Sequence, residues 1–178
     1  MPTLETGDTA PTFVTQDIFD NTLSLDALKG QKVMLSFYRY ASCPLCNLRI
    51  HELIDRWPQF EGKLCLIGVF QSPKQSMLRY VGKQDAPFAL VADPAKQLYR
   101  NYGLEPRVGA LLKMLLKPQQ VLRAFRQGFW PGKIDASLHT VPADFLIDEN
   151  GRIHTAYYGK DIGDHLPLET VLNFIREP

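Results

Sequence analysis

Two of the three cysteines in this 178-residue sequence stand three positions apart, as Cys43-Pro44-Leu45-Cys46. A chain of this length buries roughly 70% of its unfolded surface, so its folding does not depend on disulfides. A CxxC pair in such a chain therefore indicates redox chemistry or a metal site rather than a structural bridge. The third cysteine, Cys65, is alone in an apolar segment, where we expect it to act as a small core residue.

The pattern around the pair places it where a strand meets a helix. Residues 32–38 read as a strand, and the apolar spacing of residues 50–57 predicts a helix that Pro58 ends. Pro44 suits the first helical position, which puts Cys43 at the N-cap. Unpaired backbone N–H groups and the helix dipole favour a thiolate there. We expect Cys43 to be the exposed attacking thiol and Cys46 the more buried resolving thiol.

Two other interpretations of the pair stay open. The first is half of a zinc site, although a second pair at metal spacing is missing and the four histidines form no HxxxH motif. The second is a pair of inert buried cysteines.

Pro142, in Thr140-Val141-Pro142-Ala143, precedes a predicted strand. A cis bond at that proline would leave a backbone edge for an extended substrate, whereas a trans bond would make it an ordinary strand-initiating proline.

The remaining pattern predicts an α/β domain with a central mixed β-sheet flanked by helices. Residues 63–70 and 88–91 read as strands, Ser72-Pro73 opens a helix through about Lys83, and Asp93-Pro94 opens another that ends before Gly103. A hairpin with an Asn-Gly turn follows at 143–158, and an amphipathic helix ends the chain. We expect one domain over residues 1–178, with an N-terminal extension at 1–31.

A helical insertion interrupts this order at about residues 104–140. Leucines at 111, 112, 115 and 116 predict one short helix, and Val121, Leu122 and Phe125 predict another after Pro118. The segment is locally basic. It fits either two packing helices with solvated outer faces or a lid and partner-docking surface beside the dithiol.

Composition and charge exclude several functions. Twenty basic and nineteen acidic residues give a net charge of +1, which argues against nucleic-acid binding. No apolar run approaches the roughly 18 residues of a membrane span. The first residues lack the basic and apolar regions of a signal peptide, so we expect a cytoplasmic protein without membrane association.

Three segments resemble the alkyl hydroperoxide reductase C / thiol-specific antioxidant (AhpC/TSA) family, the peroxiredoxin-like branch of the thioredoxin-like superfamily. They are residues 7–13 (GDTAPTF), 23–30 (LSLDALKG) and 143–153 (ADFLIDENGRI). The resemblance covers nearly the whole chain. It implies a thioredoxin-like fold, antioxidant oxidoreductase activity and, since members of the family often dimerise, a homodimer as one assembly.

The sequence departs from that family at the active site. Peroxiredoxins place the peroxidatic cysteine in PxxxTxxC and an arginine ahead of the late strand. With Cys46 as that cysteine, Arg39 replaces the proline, Cys43 the threonine and Pro142 the arginine. Arg39 then either supplies a charge near the thiolate or is an exposed, solvated side chain. Thioredoxins carry a buried aspartate where this chain has Ser36, so another group or water would handle the proton.

The sequence therefore predicts a thiol-disulfide oxidoreductase in which Cys43 attacks and Cys46 resolves, with Arg39, Pro44 and Pro142 in support. Its substrate is a protein or small-molecule disulfide, and an external thiol system such as thioredoxin or glutathione restores the dithiol. No bound cofactor is implied, because the dithiol carries the electrons. One alternative is a thiol peroxidase with Cys46 as the peroxidatic cysteine. The other is a non-enzymatic metal-binding or interaction module.

Overall fold

A five-stranded mixed β-sheet forms the centre of the fold in the computed structural model, which describes residues 3–105 and 118–177. The strands of the described chain are β1 (Val14–Gln16), β2 (Thr22–Ser24), β3 (Val33–Phe37), β4 (Cys65–Phe70), β5 (Ala89–Ala92), β6 (Ala143–Ile147) and β7 (Ile153–Tyr158). The helices are α1 (Pro44–Phe60), α2 (Lys74–Arg79), α3 (Gln97–Asn101), α4 (Pro118–Arg126) and α5 (Leu168–Arg176).

The sheet has the order β5-β4-β3-β6-β7. β3 and β5 run parallel to β4, whereas β6 pairs antiparallel with both β3 and β7. Every residue of β3 and of β6 is buried, as expected for central strands covered on both faces. The predicted α/β class with a central mixed sheet is confirmed.

Alternation along β3 and β6 assigns their side chains to opposite faces of the sheet. Leu35 and Phe145 pack in the core cluster that includes α3, whereas Met34 and Leu146 pack with α1 and α5. By the same alternation, even-numbered residues of these two strands face α1. The dithiol helix therefore lies over that face of the sheet.

Several predicted boundaries shift. Pro58 does not end α1, which continues to Phe60. The helix expected through Lys83 ends at Arg79 and is followed by a 3₁₀ turn at Val81–Gln84. Ser72 does not cap α2, because its hydroxyl donates to the Asp135 carboxylate. The N-cap residue is Pro73. Pro167 precedes α5 as its N-cap without a side-chain hydrogen bond.

Further observations concern less regular parts of the chain. The N-terminal extension carries an unpredicted antiparallel pair, β1 and β2. The second predicted insertion helix is α4, whereas the first, at residues 111–116, lies outside the described residues. The Val141–Pro142 bond is trans, so the cis alternative is wrong. Among the described residues, no helix combines the length and apolarity needed to cross a bilayer.

Candidate active site

The dithiol turn lies where β3 passes into α1. Cys43 is the N-cap of α1 and Pro44 its first residue, as the sequence predicted. The Cys43 carbonyl accepts the Asn47 backbone N–H at 3.0 Å and the Asn47 side-chain amide at 2.9 Å. The same amide donates to the Ala41 carbonyl at 2.8 Å. Asn47 thus fixes the backbone that presents Cys43, a role that no sequence pattern singled out.

The two thiols differ sharply in acidity. Cys46 donates a hydrogen bond to Cys43, which lowers the pKa of Cys43 to about 7 against the opposing effect of burial. The Arg39 charge and the backbone N–H groups of Cys46 and Leu45 also contribute to this lowered pKa. Burial, followed by the hydrogen bond to Cys43 and the charge on that sulfur, raises the pKa of Cys46 well above its ordinary value. Near neutral pH, the pair therefore holds a Cys43 thiolate beside a protonated Cys46.

Arg39 is the charged partner of this thiolate. Its Nη1 lies 3.8 Å from Cys43 Sγ, and its Nη2 donates to the Leu138 carbonyl at 3.0 Å. The guanidinium carbon sits 5.1 Å from the centre of the Tyr40 ring. Since Arg39 is only 2% exposed, the solvated alternative is wrong. Burial strengthens the effect of a cation on a neighbouring anion, because water screens the pair less.

A segment of the chain, residues 131–139, covers the dithiol, and we call it the strap. The Ser42 hydroxyl donates to the Lys133 carbonyl at 2.6 Å, and the hydroxyls of Ser72 and Ser76 both donate to the Asp135 carboxylate. Ala136 and Leu138 of the strap pack against the cluster that contains both cysteines.

This cover overturns the expectation that Cys43 is exposed. Cys43 is 1% and Cys46 2% accessible, so both thiols are buried. The strap lies within the predicted insertion, and its position supports the lid interpretation of that segment. Because the strap packs over this cluster, we expect access to the sulfurs to require its movement.

Gly132 allows the strap to approach this closely. A Cβ at that position would lie 2.6 Å from Tyr80 Cε1 and 2.9 Å from Ser42 Cβ, both shorter than a van der Waals contact. The Tyr80 hydroxyl accepts the Lys133 backbone N–H at 3.2 Å on the same side. Only glycine fits between these two side chains without displacing them.

A buried carboxylate that the sequence reasoning missed lies on the α1 side of the sheet. Asp144 pairs in register with Ser36, whose hydroxyl donates to it. His165 Nδ1 lies 3.1 Å from Asp144 Oδ2, and the Leu166 backbone N–H donates to the same oxygen at 2.7 Å. β3 thus carries no aspartate at this position, and a buried aspartate lies opposite Ser36 on the neighbouring strand.

The ionisation of Asp144 follows from these partners. Burial alone would raise the pKa of Asp144, yet the charge and hydrogen bond of His165 and the charge of Arg49 hold it below its ordinary value. Asp144 is therefore a carboxylate at neutral pH and accepts hydrogen bonds. A lone aspartate inside the apolar run of β6 was the signal available in the sequence, since a buried charge requires partners.

Pro142 immediately precedes β6. Its carbonyl accepts the Gly159 N–H at 2.9 Å. Part of the backbone edge that an extended substrate would use is therefore already hydrogen-bonded within the protein. The preceding residue, Val141, packs with Ile162 and with Leu45 of the CxxC motif. Of the predicted supporting residues, Arg39 and Pro44 thus lie at Cys43, whereas Pro142 is connected to the dithiol turn only through the packing of its neighbour Val141 on Leu45.

Cys65 takes no part in this arrangement. It begins β4, at the opposite end of the sheet from the dithiol, and is half-buried against the core. Burial raises the pKa of its thiol. Within the described residues, no group of three or more His, Cys, Asp and Glu side chains is placed to hold a metal ion.

Several known proteins are similar to this chain in sequence or in fold. Residues 6–156 match the AhpC/TSA family. Peroxiredoxin Bcp of Escherichia coli (strain K12) is 23% identical over 178 residues, which cover 99% of each chain. Peroxidoxin BcpB of Mycobacterium tuberculosis superposes with a TM-score of 0.70 at 17% identity, over 97% of each chain. The thioredoxin domain of a thiol-disulfide oxidoreductase from Bacteroides vulgatus gives 0.58 at 19% identity, over 98% of this chain and 100% of that one.

Proposed function

Because the chain belongs to the AhpC/TSA family and is a thiol-dependent oxidoreductase, we propose that it reduces substrate disulfides through Cys43 and Cys46. The observation that carries this proposal is the ionisation of the pair. Cys43 has a pKa of about 7 beside the buried Arg39, whereas the pKa of Cys46 is raised. The thiolate is the nucleophile in thiol–disulfide exchange, so Cys43 attacks first.

The reaction balances with the dithiol as the only electron donor. The Cys43 thiolate attacks one sulfur of the substrate disulfide, forms a mixed disulfide and expels the first substrate thiolate. Cys46 then loses its proton and attacks the Cys43 sulfur, which releases the second substrate thiolate and leaves a Cys43–Cys46 disulfide. An external thiol reductant returns that disulfide to the dithiol. Arg39 stabilises the negative sulfur before attack.

Peroxide reduction is the second candidate, favoured by the family match and by relatives that are named as peroxiredoxins. The acidity of the pair favours Cys43 over Cys46 as the sulfur that attacks the peroxide. The thiolate would take one peroxide oxygen and become a sulfenic acid while an alkoxide or hydroxide leaves. Cys46 would then condense with the sulfenic acid to form the disulfide and water.

Single-cysteine variants separate these activities. With a small disulfide as substrate, Cys43→Ser should abolish turnover, because Cys46 stays protonated. With hydrogen peroxide and a sulfenic-acid probe, Cys46→Ser should be labelled at Cys43 if the protein reduces peroxide. Labelling of Cys46 in Cys43→Ser would instead establish the peroxiredoxin arrangement. If neither variant forms a sulfenic acid and the wild type turns over no disulfide, both proposals fail.

A further inference from the structure

A cleft of about 410 Å³ opens beside the dithiol turn, a volume within the range typical of small-molecule sites. Ser42 and Asn47 lie at its dithiol end. Ser42 immediately precedes Cys43, and Asn47 holds the Cys43 carbonyl at 2.9 Å. The bond from Ser42 to the Lys133 carbonyl closes this end with the strap. The cleft therefore ends at the residue that precedes Cys43, where the strap is bonded across it.

The charges that line this cleft are all positive. Arg79 and Lys83 are both exposed, and neither side chain forms an ion pair or hydrogen bond within residues 3–105 and 118–177. Three other cavities differ, because acidic residues accompany their cations. Lys32 and Lys63 share one with Glu149 and Glu177. In the second cavity, Arg49 and Arg123 lie with Glu52. In the third, Lys29 lies with Asp26 and Asp148.

An aromatic wall completes the cleft. Trp130 is 66% exposed, and its ring is stacked on Phe125 with centroids 4.8 Å apart. A stacked, exposed indole presents a flat apolar surface whose position is held by its neighbour. Such a surface suits the peptide or methylene portions of a small ligand, while the two cations suit its carboxylates.

Building on the proposed function, we infer that this cleft selects small disulfides that carry carboxylates, the oxidised forms of acidic low-molecular-mass thiols. Arg79 and Lys83 attract the carboxylates, and Trp130 packs against the apolar part. Once the strap shifts, the Cys43 thiolate attacks the disulfide of the bound molecule and expels one acidic thiolate. Cys46 then releases the other, so two electrons pass from the dithiol to the substrate.

The test compares three small disulfides of different charge: oxidised glutathione (anionic), hydroxyethyl disulfide (neutral) and cystamine (cationic). The variants are Arg79→Glu, Lys83→Glu and the pair combined, with Lys63→Glu as the matched control because it makes the same charge change in a different cavity. For the double variant, the ratio of kcat/KM for oxidised glutathione to that for hydroxyethyl disulfide should fall at least tenfold. The corresponding ratio for cystamine should rise.

Added salt should reduce the preference of the wild type for oxidised glutathione, since it screens exposed charges. Lys63→Glu should leave both ratios within twofold of the wild type. Equal loss with all three disulfides, or no change in either ratio, would overturn the inference. If the wild type reduces hydroxyethyl disulfide without preferring oxidised glutathione, the inference that the cleft selects carboxylates is wrong, whereas the proposed function stands. A wild type inactive on all three would refute the proposed function itself.

Discussion

Asp135 is the residue whose loss should most change access to the dithiol. Its carboxylate accepts hydrogen bonds from the hydroxyls of Ser72 and Ser76, which lie before and within α2. Hydrogen bonds to a charged group contribute about 1.5–3 kcal/mol each. Because Asp135 is half-buried, we take the lower end of that range for each hydrogen bond. Removing both hydrogen bonds should therefore destabilise the closed position of the strap by about 3 kcal/mol relative to an open one.

That cost has a measurable consequence for Cys43. A thiol that reacts only after local opening is alkylated at a rate proportional to its open population. A change of about 3 kcal/mol corresponds to about a hundredfold change in that population. We therefore expect iodoacetamide to modify Cys43 about a hundred times faster in Asp135→Ala than in the wild type. Asp135→Asn should show a smaller increase, since an amide oxygen still accepts a hydroxyl proton.

The assay is a time course of alkylation at pH 8, quantified for the Cys43 peptide by mass spectrometry. Asp26→Ala is the control, because it removes an exposed carboxylate at a cavity lined by Ile147, at the far end of β6 from the strap. Circular dichroism establishes that each variant is folded. If folded Asp135→Ala reacts within twofold of the wild type, the strap does not limit access and the reasoning is wrong.

Three further predictions test the site. Arg39→Gln should raise the midpoint of the pH profile for Cys43 alkylation above pH 7, because it removes a charge that favours the thiolate. Asp144→Asn should reduce the free energy of unfolding in urea by about 3 kcal/mol at pH 7, the low end for breaking a buried pair. The wild type should become less stable as the pH falls below about 4, since the folded-state pKa of Asp144 is lowered and its protonation removes the charge that His165 and Arg49 stabilise, and the variant should lack that loss. Gly132→Ala should destabilise the protein by about 1–3 kcal/mol through overpacking against Tyr80 and should speed Cys43 alkylation.

Features set by neighbouring residues were predictable from the sequence. Pro44 and the apolar spacing that follows it place Cys43 at the start of α1, because capping depends on adjacent residues. The Asn-Gly turn between β6 and β7 was also predictable, since Gly151 adopts a positive φ of 78° there. The central sheet followed from the buried apolar runs.

Features set by distant contacts were not predictable in this way. The sequence around Ser72 indicates a helix cap, yet its hydroxyl bonds Asp135, 63 residues away. The cover over Cys43 likewise comes from a strap more than eighty positions along the chain. Asp144 faces Ser36 only because β3 and β6 pair in one register. Local patterns carry no information on such pairings.

The order of attack by the two cysteines is the central claim, and trapping the mixed disulfide tests it most directly. Reduced Cys46→Ser and Cys43→Ser are each mixed with hydroxyethyl disulfide at pH 7 and examined by intact-mass and peptide mass spectrometry. We predict that Cys46→Ser accumulates one adduct at Cys43, because the attacking thiolate remains and the resolving thiol is gone. Cys43→Ser should form no adduct at Cys46. An adduct at Cys46 in Cys43→Ser, together with none at Cys43 in Cys46→Ser, would contradict the account.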